Sequence, residues 1–216
     1  MAQTTRQQIQ TMFDLIETLK ERKYLLGESK ISDDRITDAL RTMVEPNGLM
    51  DATIAKVLRP DMSGEEFEAV AMLDEEASYG LFDTYRAIMM PSDYDVSHAI
   101  ACAFKQDIPR LFSDFALQIH PTSDRAGAYR IAATVSYMEG DPAARCKHFA
   151  DQLYRVKPED EMLRNLSVAL IHGIEPARTA GADGIAAERE RVQAQREQTD
   201  AGEGLAAEAM NRVAAR

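Results

Sequence analysis

His98 and Cys102 stand four residues apart, the spacing at which two side chains share one face of a helix and can chelate a metal ion. Cys146 and His148 are the other soft donors that would complete a four-ligand site. Residues two apart on a helix point about 200° away from each other, so this second pair does not serve one ion easily. Core packing for both cysteines, with surface or supporting roles for the histidines, is the expectation. A second constellation is Asp93, Asp95 and Ser97, which copy the first three ligand positions of a calcium loop. The sixth position, where the sharp turn calls for glycine, is His98, and the twelfth, where a bidentate glutamate belongs, is Phe104. This acidic run is therefore read as the start of a helix.

Asp74, Glu75 and Glu76 form an acidic cluster at a helix end, where the dipole disfavours it, and are read as a solvated face. The serine elbow, the phosphate-binding glycine loop and the metalloprotease histidine pair all have no counterpart in the chain. The sequence accordingly assigns no catalytic residue, cofactor or metal.

The elements that carry these residues are helical. The chain has 216 residues, of which 45% are hydrophobic but only 6% aromatic, with no Trp. Abundant Ala, Leu and Met favour helices over sheets. Residues 5–26 place Ile9, Met12, Phe13, Ile16 and Leu19 at helical spacing, with Gly27 as the stop. Ser32 is expected to cap the next helix, whose stripe is Ile36, Leu40, Met43 and Val44. After the turn Pro46-Asn47-Gly48, Asp51 is expected to cap a short helix bearing Ile54, Val57 and Leu58. Ser63 and Glu66 form a capping box ahead of Phe67, Val70 and Leu73. Further apolar segments follow at residues 81–90 and 93–104, and Asp107 caps a helix with Pro109 in its first turn.

Three amphipathic helices then fill residues 128–176, joined by Gly140-Asp141-Pro142 and by Lys157-Pro158. Ala128, Ile131, Ala132 and Val135 line the first; Cys146, Phe149, Ala150 and Leu153 line the second. Two antiparallel helices packed through small residues, a turn between them and a proline after the second resemble a tetratricopeptide-type hairpin. The internal period of that repeat is missing, so a lone hairpin rather than a solenoid is implied. Residues 95–177 are also similar to the C-terminal helical part of an actinobacterial domain-of-unknown-function family. The likeness rests on Ala132-Ala133, Gly140-Asp141-Pro142-Ala143, Lys157-Pro158 and Gly173-Ile174-Glu175-Pro176. The β-rich front half of that family has no counterpart here, and the resemblance implies a helical fold without an assigned activity.

The expected architecture is all-α: a compact domain of short helices over residues 1–177, and a polar tail over 178–216, partly disordered or helical. Net charge is −11, and residues 31–95 hold 15 acids against 5 bases, nearly the whole imbalance. Such a front half repels phosphate backbones and lipid head groups, which makes nucleic acid an unfavourable partner and a basic protein surface the better one. The N-terminal residues lack an apolar run of signal-peptide length and no stretch approaches a membrane span, so a cytoplasmic location and no membrane are expected. These features together predict a non-enzymatic adaptor, chaperone-like or assembly protein. The alternative is a helix-turn-helix regulator over residues 31–59 that uses Arg35, Arg41, Lys56 and Arg59. A helical enzyme with scattered acids is a third class.

Overall fold

The computed structural model describes residues 4–20, 27, 30–72 and 107–174. The described residues form eight α-helices and one 3-10 turn, with no strand among them. Leu73, Asp74 to Glu76, residues 81–106 and the expected tail at 178–216 lie outside the described residues.

Helix α1 (Arg6–Lys20) buries Ile9, Met12, Leu15, Ile16 and Leu19, a stripe at helical spacing. Phe13 sits at its edge and meets Phe67 edge-on at 5.5 Å between ring centres. Helix α2 (Asp33–Arg41) buries Ile36, Ala39 and Leu40. Ser32 occupies its N-cap position, but the side chain makes no capping bond, so the expected cap is positional only. In α3 (Gly48–Leu58) the cap is Asn47, whose side chain accepts from the Met50 amide. Asp51, expected to cap this helix, instead lies inside its first turn. Helix α4 (Gly64–Ala71) carries the expected capping box: Ser63 Oγ accepts from the Glu66 amide at 3.1 Å, and Glu66 accepts from the Ser63 amide at 2.8 Å.

Helix α5 (Ile108–Gln118) is capped by Asp107, which accepts from the Arg110 amide at 3.0 Å, with Pro109 in the first turn. After the 3-10 turn Thr122–Arg125 come α6 (Ala126–Met138), α7 (Ala143–Val156) and α8 (Glu161–Ile171). Asp160 caps α8 by accepting from the Met162 amide.

All thirteen residues of α6 are buried, whereas the sequence suggested one lined face. A helix enclosed on every side is the centre of its bundle. It packs against α5 and α7 most extensively and also against α2, α3 and α8. Gly127 makes the α2 approach possible, since a Cβ there would lie 2.6 Å from Met43 Cβ and 2.7 Å from its carbonyl oxygen. Helix α3 is nearly as enclosed, with only Asp51 not fully buried. Its first residue, Gly48, touches the end of α4, where a Cβ would meet the Val70 carbonyl at 2.4 Å. One continuous core thus joins the front helices to the hairpin.

Two cations lie inside this core, and sequence pattern did not mark either as buried. Arg130 is fully buried in α6. Its Nη1 donates to the Met43 carbonyl at 3.0 Å and its Nη2 to the Val44 carbonyl at 3.1 Å. Its Nε donates to Asp160 at 3.0 Å, and a second short bond from Nη2 completes a fork on the same carboxylate oxygen. The fork ties the end of α2 to the start of α8 through the middle of the protein. Lys56, 2% exposed, donates to the Pro60 and Met62 carbonyls at 2.9 and 2.6 Å and pairs with Glu17 at 2.5 Å. Its ammonium also stands 4.9 Å from the centre of the Phe13 ring.

Candidate functional site

Of the residues proposed for metal chemistry, His98, Cys102, Asp93, Asp95, Ser97 and Phe104 lie outside the described residues. Cys146 is buried while His148 is exposed on the same helix, so the two diverge as their spacing requires. Among the described residues no three His, Cys, Asp or Glu side chains gather as metal ligands. Of the cations assigned to a helix-turn-helix, Lys56 is buried against Glu17, which corrects its reading as a surface contact. Arg41 pairs with Asp38, and Arg59 with Glu66 and more loosely with Asp61.

Among the described residues a cleft of about 350 Å³ opens where α6 and α8 end side by side at the start of α7. Both helices stop in the same way. Gly140 after α6 and Gly173 after α8 adopt φ of 76° and 62°, the left-handed region that a glycine enters without penalty. The amide three residues beyond each helix then folds back: Asp141 N–H donates to the Ser136 carbonyl, and Ile174 N–H to the Ala169 carbonyl. Tyr137 locks the two ends together, its hydroxyl donating to the Ile174 carbonyl at 2.7 Å.

Tyr137, Pro142, Ala143, Leu170 and Ile174 supply most of the apolar lining. Asp141 supplies the one formal charge among the lining residues. Its Oδ2 accepts from Ser136 Oγ at 2.7 Å, and its Oδ1 faces Arg145 Nη1 at 3.3 Å. Arg145 is also engaged by Asp107, in a short contact on its other nitrogen. Cys146 reaches the same wall, where Sγ donates to the Asp141 carbonyl at 3.3 Å. Burial pushes its thiol pKa up; the Ser136 hydroxyl opposes this and the Asp141 charge adds to it. A thiol held protonated and bonded to a carbonyl is a packing residue and not a poised nucleophile.

The outward side of α8 continues the cleft. Leu163, Leu166 and Ala169 face the core, yet Val168, Ile171 and Ile174 are 48%, 78% and 46% exposed. Three large aliphatic side chains at every third position, ending on the cleft lining, form a short apolar row. The other large hydrophobics exposed among the described residues, Met72, Leu117 and Tyr154, are spread over three different elements. The row on α8 was missed in the sequence because an apolar residue in an amphipathic helix reads as inward-facing by default. The signal available was that α8 holds more large apolar residues than a single inward stripe uses. Comparison with known proteins finds no matching family model, no matching curated protein and no matching solved structure.

Proposed function

We propose that this protein is a non-enzymatic interaction module, an adaptor or assembly factor that docks a protein partner along the outer side of α8 and into the adjoining cleft. The observation that carries the reading is the row Val168, Ile171, Ile174, left in solvent beside an apolar hollow on a helix whose inner face is already satisfied. Contiguous apolar surface rimmed by polar groups marks an interaction site more often than scattered exposed residues do. The shape supports docking too, because two helix ends locked by Tyr137 give a preorganised receptor. Against the helix-turn-helix alternative stand the burial of Lys56 and the acidic pairing of Arg41 and Arg59, which leave a weaker footprint for phosphates.

The test is cross-linking in the source cell with the full-length protein and a Val168→Glu, Ile171→Glu variant. Loss of a well-packed apolar contact weakens association about tenfold or more. Cross-links between a partner and Lys147 in α7, or Lys157 at its C-terminal end, should fall accordingly. Surface changes of this kind alter stability by about 0.5 kcal/mol or less, so the melting temperature should hold. Partner cross-links that survive the double change, or the absence of any partner cross-link from these lysines in the unaltered protein, would refute the reading.

A further inference from the structure

The cleft has a definite electrical character. Residues at the C-terminal ends of α6 and α8 both line it, and a helix's carbonyl end is equivalent to about half a negative charge. Helix α7 begins at the same turn and its amide end offsets one of them. What remains is the other carbonyl end and the Asp141 carboxylate, which lies on the wall. Arg145 does not reverse the balance, because it is shared between Asp141 and Asp107. No basic side chain lines the hollow, and the rest of the lining is apolar or backbone apart from the Cys146 thiol and the Tyr137 hydroxyl, which is spent on the Ile174 carbonyl. An occupant matched to these walls has an aliphatic stem and a cationic head, since the stem fills the apolar part and the head meets carbonyls and carboxylate.

We propose that the cleft between the ends of α6 and α8 receives a lysine or arginine side chain of a protein partner, whose neighbouring apolar residues cover Val168 and Ile171. The inference rests on the docking reading above and specifies the chemistry of the docked segment. The continuity of the cleft with the apolar row on α8 favours a peptide over a free amine. A free amine would use the hollow alone, whereas a cation flanked by aliphatic side chains uses both surfaces.

Nuclear magnetic resonance on the full-length chain tests this, with the Gly140 and Gly173 amides as reporters of the cleft. The probes are n-butylguanidinium, butyrate and n-butanol, then the capped peptides acetyl-Leu-Arg-Leu-amide and acetyl-Leu-Glu-Leu-amide. Butylguanidinium should shift both amides saturably, and butyrate should not. The arginine peptide should bind about tenfold more tightly than the glutamate peptide, and less so at high salt. Ile171→Ala should weaken the arginine peptide and leave butylguanidinium unchanged. Asp141→Asn should weaken the charge preference. Because Asp141 also holds Ser136 and Arg145, Ala143→Lys serves as the second variant, placing a tethered cation at the mouth of the cleft and abolishing binding of both cationic probes.

Equal binding of the two peptides would overturn the proposal. Butylguanidinium matching the arginine peptide, with no effect of Ile171→Ala, would instead make the hollow a site for small free cations. Amide shifts that depend on protein concentration would assign it to a second copy of this chain. A roughly tenfold gain in peptide affinity on changing Arg189 and Arg191 to Glu would assign it to this chain's own C-terminal residues. Partner cross-links lost on altering Val168 and Ile171, without any preference between the peptides, would sink the cation and leave the docking surface standing.

Discussion

Arg130 is the residue on which the interior is organised. Its guanidinium, itself fully buried, satisfies two carbonyls just past the end of α2 and the carboxylate that caps α8. Replacing it by Met keeps most of the volume but strands Asp160 and both carbonyls. Breaking a buried pair from one side costs about 3–5 kcal/mol, so urea denaturation of Arg130→Met should show a loss of that size. Arg130→Lys should recover only part of it, because an ammonium does not reproduce the fork. Asp51 shares this neighbourhood. Burial raises its pKa from 3.8 to about 6, and the nearby Arg130 charge works the other way. Its carboxyl therefore keeps a proton in the fold that the unfolded chain has already released. The stability from this group is full below about pH 3.8 and is lost as pH rises through about 6. Over that window the change is about 3 kcal/mol. Asp51→Asn should gain stability relative to the unaltered protein as pH rises from 4 to 6.5, and a constant difference across that range would contradict the assignment. Sequence patterning missed both residues for one reason: a charged side chain on an apolar helix carries no mark of being enclosed until its partners, far away in the chain, are known.

At the scale of elements, what local chemistry determines was legible. The Ser63–Glu66 capping box, the Asp107 cap with Pro109, and the two helices of the hairpin with the third that follows all form where the residues say they should. Ser63→Ala should cost about 1 kcal/mol, as removal of an N-cap acceptor does. Phe149 is buried with Cys146, Ala150 and Leu153 on the face of α7 that packs on α6. Phe149→Ala should cost about 3–5 kcal/mol, and an unchanged melting temperature would show that the core face is wrongly identified. Asp51 reads as a cap only if Asn47, four residues earlier, is confined to the turn; the two jobs are compatible when a turn ends directly in a helix. The burial of α6 on all sides was also out of reach. Its Ala, Ser and Thr positions look like an outer face, and only the approach of α2 and α5 encloses them. The cleft was illegible for the same reason, being made by two helix ends 33 residues apart, at Gly140 and Gly173.

For the whole molecule, the connected core and the Arg130 fork bind the front helices to the hairpin as one body. The described part should therefore unfold in a single step. Urea transitions followed by far-ultraviolet dichroism and by tyrosine signal should coincide, the chain having no Trp to complicate the second probe. Separate midpoints for the two signals would mean that the hairpin and the front helices melt independently.

Lys56 gives that unity a chemical readout. Its amine is enclosed by two carbonyls, Glu17 and the Phe13 ring. Acylating reagents attack only a deprotonated, accessible amine, so this position is shielded for as long as α1 and α3 stay together. Lys147, on the exposed side of α7, has no such shield. The ratio of label at the two sites therefore clocks how often the protein opens, and it does so in a crowded extract where no spectroscopic signal survives.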